Sequence, residues 1–133
     1  MIPKFRAWDK RKNIMRDVAV LHFTKNGKTN FIEYWINPTE LKSYHVRNID
    51  LMQSTGLKDK NGVESWEGNY LVKDGYWPFF IKWIESEGCL MAVPVNSVQR
   101  TNWEPVSVKE KLDFGYVNEG NIYENPELLE EQR

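Results

Sequence analysis

Apolar residues in this chain come in short runs closed by turn residues, and no window carries the i, i+3, i+4, i+7 stripe of a long helix. The runs recur about every ten to fifteen residues, the rhythm of short antiparallel strands. Six Phe, six Tyr and six Trp are scattered along the chain, and aromatic side chains suit the half-buried face of a sheet. The pattern therefore predicts a mainly β protein.

The first run is Lys4 to Trp8, closed by Asp9 to Asn13, and the second is Ile14 to Thr24. Asn26-Gly27 marks a hairpin into Asn30 to Ile36, because both residues tolerate positive φ. Asn37-Pro38-Thr39-Glu40 reads as a helix start, with Asn37 capping and Pro38 at the first helical position. Ser43 to Val46 already looks extended, so that helix is short. From Leu51 onward, short apolar segments at Leu51–Gln53, Tyr70–Lys73, Phe79–Ile84, Cys89–Val95 and Trp103–Val108 suit a small SH3-like barrel across residues 51–117. Asn125-Pro126 opens a last helical turn with acidic residues in its first turns, where the helix dipole favours them. The expected organisation is an N-terminal β-hairpin module at 1–50, the barrel module at 51–117 and a C-terminal strand with a helical turn at 118–133, all packed as one compact unit.

A chain of 133 residues holds one core or two small modules and needs neither disulfide nor metal to fold. The single cysteine, Cys89, suits a reducing cytoplasm and, in its apolar strand, reads as a small buried hydrophobe. No leader is expected from the residues after Met1, and the longest apolar run is far short of the ~20 residues a membrane span needs. A cytoplasmic site with no membrane partner is expected.

Catalytic chemistry has little material. His22 and His45 stand apart from other metal-ligating residues, and Asp9, Asp17, Asp50, Asp59 and Asp74 fall mostly at turns, where Asp bonds its own backbone. No phosphate-cradling loop, dinucleotide fingerprint or nucleophile elbow occurs. The expectation is no catalytic residue, no cofactor and no metal, hence no enzyme.

Two binding readings remain. Residues 1–62 hold 12 Lys or Arg against 6 Asp or Glu, whereas residues 63–133 hold 6 against 13. Lys4, Arg6, Trp8, Lys10, Arg11 and Lys12 concentrate five cations and an aromatic, the ingredients for phosphate contact and base stacking. The plainer reading places Lys4 and Arg6 on a solvated strand face, with the basic and acidic halves meeting in the fold or across subunits. The aromatic excess points to protein contacts, with Tyr76, Trp77 and Phe79 beside Pro78 as the candidate interface.

Three stretches carry a family resemblance. Lys4-Phe5-Arg6-Ala7-Trp8-Asp9, Leu51 through Gly62 and Gly120-Asn121-Ile122-Tyr123-Glu124-Asn125-Pro126-Glu127-Leu128-Leu129 resemble the YopX family of phage and prophage proteins in order and spacing. Where that family usually reads Ile-Tyr-Glu-Gly-Asp, this chain has Ser65-Trp66-Glu67-Gly68-Asn69, and Asn118-Glu119 replaces a usual apolar pair. The resemblance implies a β module joined to an SH3-like barrel, a phage origin and a bacterial cytoplasm, and it implies no activity. The resulting expectation is a non-enzymatic interaction or scaffold module that forms a homo-oligomer and binds an unknown phage or host protein. The alternative is a nucleic-acid-binding module built on the basic N-terminal strand.

Overall fold

The computed structural model describes residues 3–95 and 104–129. The protein is mainly β, with its strands in two antiparallel sheets, and it divides into two compact units, one ending at Gln53 and the other beginning at Ser54.

In the first unit, β1 (Phe5–Asp9), β2 (Ile14–Phe23), β3 (Thr29–Asn37), β4 (Glu40–His45) and the first half of β5 (Ile49–Lys58) pair in the order β4-β3-β2-β1-β5. Strand alternation sorts their side chains. Ala7, Ile32, Tyr34 and Ile49 form the core, with Val18, Leu21, Tyr44, Val46 and Leu51 packed around them. The expected Asn26-Gly27 hairpin is present: Thr24 N–H donates to the Lys28 carbonyl at 2.7 Å, and Gly27 takes φ +84°.

Asn37 to Glu40 does not start a helix. Asn37 Oδ1 accepts from the Thr39 N–H at 3.0 Å, and Asn37 Nδ2 donates to Glu40 Oε1 at 3.0 Å. These are bonds of the kind that cap a helix, but here they close a tight turn, and the following residues pair with β3 from Leu41 opposite Trp35 to His45 opposite Phe31. A cap specifies a turn. Only the residues after it decide between helix and strand.

In the second unit, the latter half of β5 pairs with β6 (Glu64–Trp66), while β7 (Asn69–Val72), β8 (Phe79–Ile84), β9 (Cys89–Pro94) and β10 (Val117–Asn121) form a sheet in the order β10-β7-β8-β9. That sheet is open, with β10 and β9 at opposite ends, so the expected barrel is not closed. Among the described residues, no strand runs to Val108. Val106 makes one bridge to Ala92, after which Ser107 accepts from the Glu110 N–H at 3.3 Å and α1 (Val108–Asp113) begins; Trp103 lies outside the described residues. The signal was Ser107-x-x-Glu110 followed by Val108 and Leu112 on one helical face. Both of those side chains join Leu71, Phe79, Ile81, Ala92 and Tyr116 in the core of this unit. The Asn125-Pro126 turn is helical as expected, a single 3-10 turn over Pro126–Leu129. Among the described residues, no helix is long and apolar enough to cross a membrane.

Candidate interaction surfaces

Each unit is organised around a buried aspartate. Asp9 Oδ1 accepts from the Arg11 and Lys12 backbone N–H groups at 3.0 Å each and from the Tyr44 hydroxyl at 3.2 Å, while Oδ2 meets Arg16 Nη2 at 3.3 Å. Burial alone would raise its pKa, but the backbone donors Lys12 and Arg11, then Arg16 and Tyr44, hold it below the ordinary carboxylate value. This arrangement fixes the β1–β2 turn and carries Lys10, Arg11 and Lys12 on its exposed side. Lys10 Nζ lies 4.0 Å from Asp50 Oδ1. Arg6 and Trp8 are half-buried, and Arg6 Nε donates to Met52 Sδ at 3.4 Å. Of the six residues in the basic segment, Lys4, Lys10, Arg11 and Lys12 are exposed.

Asp59 plays the corresponding part in the second unit. Its Oδ1 accepts from Asn61 N at 2.9 Å and Val63 N at 3.0 Å; its Oδ2 accepts from Asn118 N at 2.9 Å and Asn118 Nδ2 at 3.2 Å. Burial again works upward on the pKa, and the donors from Asn118, Val63 and Asn61 bring it below the ordinary value. Asn118 Oδ1 in turn accepts from Asn69 Nδ2 at 3.2 Å. Two positions that depart from the resemblance pattern, Asn69 and Asn118, thus meet as partners.

The outward face of the first sheet carries exposed apolar side chains. Trp35 (45% exposed) and Leu41 (39%) are direct cross-strand partners. Along the same face, His22 stacks on Phe31 with ring centroids 4.0 Å apart, and His22 Nε2 lies 2.7 Å from Glu33 Oε2. A shallow groove of about 350 Å³, lined by Phe31, Ser43, Tyr44 and His45, runs along β4, the outermost strand. The sequence reading missed this surface because a helix placed at Asn37 hides the pairing of Leu41 with Trp35.

The expected aromatic interface splits. Phe79 is 8% exposed and packs on Tyr116 with centroids 5.6 Å apart, inside the core. Trp77 is half-buried, its Nε1 donating to the Val95 carbonyl at 2.9 Å. Tyr76 is 52% exposed and stands edge-on to exposed Phe114 at 5.0 Å. Lys73 Nζ sits 3.7 Å from the centroid of Phe114 and donates to its carbonyl. Beside this ledge lies a cleft of about 370 Å³ with Lys60, Lys73, Asp74 and Glu119 in its walls, a lining of mixed charge.

His45 Nδ1 accepts from the Arg47 N–H at 3.1 Å, and Cys89, expected to be buried, is exposed at the start of β9. Among the described residues, no three His, Cys, Asp or Glu side chains gather as a metal site would require.

A family model described as YopX protein matches residues 4–130. The chain belongs to the YopX family. Among solved structures, protein EF1440 from Enterococcus faecalis is similar to this YopX chain, with 29% sequence identity and a TM-score of 0.65, covering 97% of this chain and 99% of that one. No curated protein matches.

Proposed function

We propose that this YopX protein is a non-enzymatic interaction module of a phage or prophage, working as a homo-oligomer in the bacterial cytoplasm. One observation carries the reading: Trp35 and Leu41, paired on the outward face of the first sheet, leave a large aromatic and a leucine in solvent beside an edge strand. Trp is enriched in protein contacts, and an edge strand offers unpaired backbone groups to a further chain. Sedimentation velocity of the wild type and Trp35→Ala tests it. Association that weakens in the variant supports the reading; association unchanged by the variant, or absent from the wild type, overturns it.

The fixed β1–β2 turn favours a second reading. Because Asp9 binds the backbone of Arg11 and Lys12, these two cations are held outward without using their side chains, next to exposed Lys10, whose Nζ lies 4.0 Å from Asp50 Oδ1. On this reading the turn grips nucleic-acid phosphates. Retention on DNA or RNA would then weaken steeply with salt and vanish when Lys10, Arg11 and Lys12 are replaced by Ala. Retention unaltered by those replacements rules it out.

A further inference from the structure

We infer that two copies of this chain join their first sheets edge to edge through β4, antiparallel and centred on Ser43. The inference rests on the homo-oligomer reading and names the surface that would make it. Among the described residues, no strand pairs with the outer rim of β4, whose residues are exposed except for half-buried Tyr44. An exposed rim of this kind is a template for another strand.

Side-chain parity restricts the register. Leu41, Ser43 and His45 share the outward face with Trp35, Glu33 and Phe31, while Lys42 and Tyr44 face the core side with Tyr34 and Ile32. Directly opposed residues share a face, so the two-fold axis passes through a residue pair. Centring on Lys42 sets two ammonium groups against each other, which is unfavourable. Centring on Leu41 sets Ser43 to His45 against the Asn37–Thr39 turn, where the second copy has little strand to offer. Centring on Ser43 pairs every β4 residue except Glu40.

In that register Leu41 of one copy stands opposite His45 of the other, at the groove lined by Phe31, Ser43, Tyr44 and His45. The exposed leucine and the groove are thereby filled together, twice per pair. Lys42 meets the Tyr44 ring, whose hydroxyl donates to the Asp9 carboxylate, so a cation approaches a buried anion. Glu40 is left at the ladder's end, where Arg47 of the second copy follows β4.

Disulfide trapping tests the register. Opposed residues in an antiparallel pair have Cα atoms about 4.5 or 5.5 Å apart, within disulfide reach, whereas the two Lys42 positions would be about 8 Å apart. Exposed Cys89 is first replaced by Ser. Mild oxidation of S43C/C89S should give a dimer band on a non-reducing gel, and K42C/C89S should give none. Light scattering of the uncrosslinked wild type separates the two failures. An oligomer without selective S43C trapping overturns β4 pairing and leaves self-association standing. A wild-type monomer at every concentration overturns both.

Discussion

Asp59 and Asn118, far apart in sequence, meet on a single oxygen: Asp59 Oδ2 accepts both the backbone N–H of Asn118 at 2.9 Å and its side-chain Nδ2 at 3.2 Å. This pairing ties the Asp59–Gly62 turn to β10. Asp59→Ala would leave those donors and the N–H groups of Asn61 and Val63 without their charged acceptor. We expect a loss of about 3 kcal/mol, since bonds to charged groups contribute more than neutral ones and stranded donors cost extra. Urea denaturation checks this as a lower midpoint with an unchanged slope.

Asp9 and Asp59 together set an acid limb. Both are held below the ordinary carboxylate value in the folded state. A lowered folded pKa adds stability that is fully present above the unfolded value, about 3.9, and is lost as pH falls through the folded one. Stability attributable to these groups should therefore be level from neutral pH to about 5 and should fall below about 4. The double variant Asp9→Asn/Asp59→Asn, less stable at neutral pH, should show a shallower acid decline. An acid slope equal to the wild type's would contradict this account.

Gly68 and Gly27 separate backbone strain from close packing. Gly27 has φ +84° with open space where a Cβ would go, whereas Gly68 has φ +90° and its Cβ would lie 2.8 Å from Tyr123 Cε2. Gly27→Ala should cost about 1 kcal/mol, the strain of a left-handed residue. Gly68→Ala should cost about 1–3 kcal/mol more, because a ring in packed surroundings must move. Equal shifts in thermal midpoint would show that Tyr123 gives way freely.

Ser65 carries a stability reserve. It is fully buried, and its Oγ has no hydrogen-bond partner. An unsatisfied buried hydroxyl is costly, so Ser65→Ala should stabilise by about 0.5–1 kcal/mol. Calorimetry should show a higher melting temperature; a lower one would mean the hydroxyl is satisfied in solution.

The β character was legible because alternation and turn chemistry are local. Gly27 and the Asn125-Pro126 turn follow from a few neighbouring residues, and the strands around Phe5, Phe31 and Phe79 form where their apolar runs lie. What failed was non-local. Asn37 caps a turn in either context, and only the pairing of Leu41 with Trp35 decides that a strand follows. Barrel closure depends on what meets the outer rim of β9, and among the described residues Val106 bridges to Ala92 there before α1 starts. Asp59 reads as an ordinary turn residue until β10 brings Asn118 to it. The interaction surface was hidden for the same reason: exposure of Leu41 is a property of the edge position of β4, and the order of strands in a sheet is not written in any one segment.

Light scattering after size exclusion, across protein concentration at low and high salt, decides whether the chain self-associates. The wild-type mass should be a multiple of 15.8 kDa and should fall toward one chain in Leu41→Glu, which puts charge where the leucine meets its groove. A wild-type mass of 15.8 kDa at every concentration and salt would contradict it.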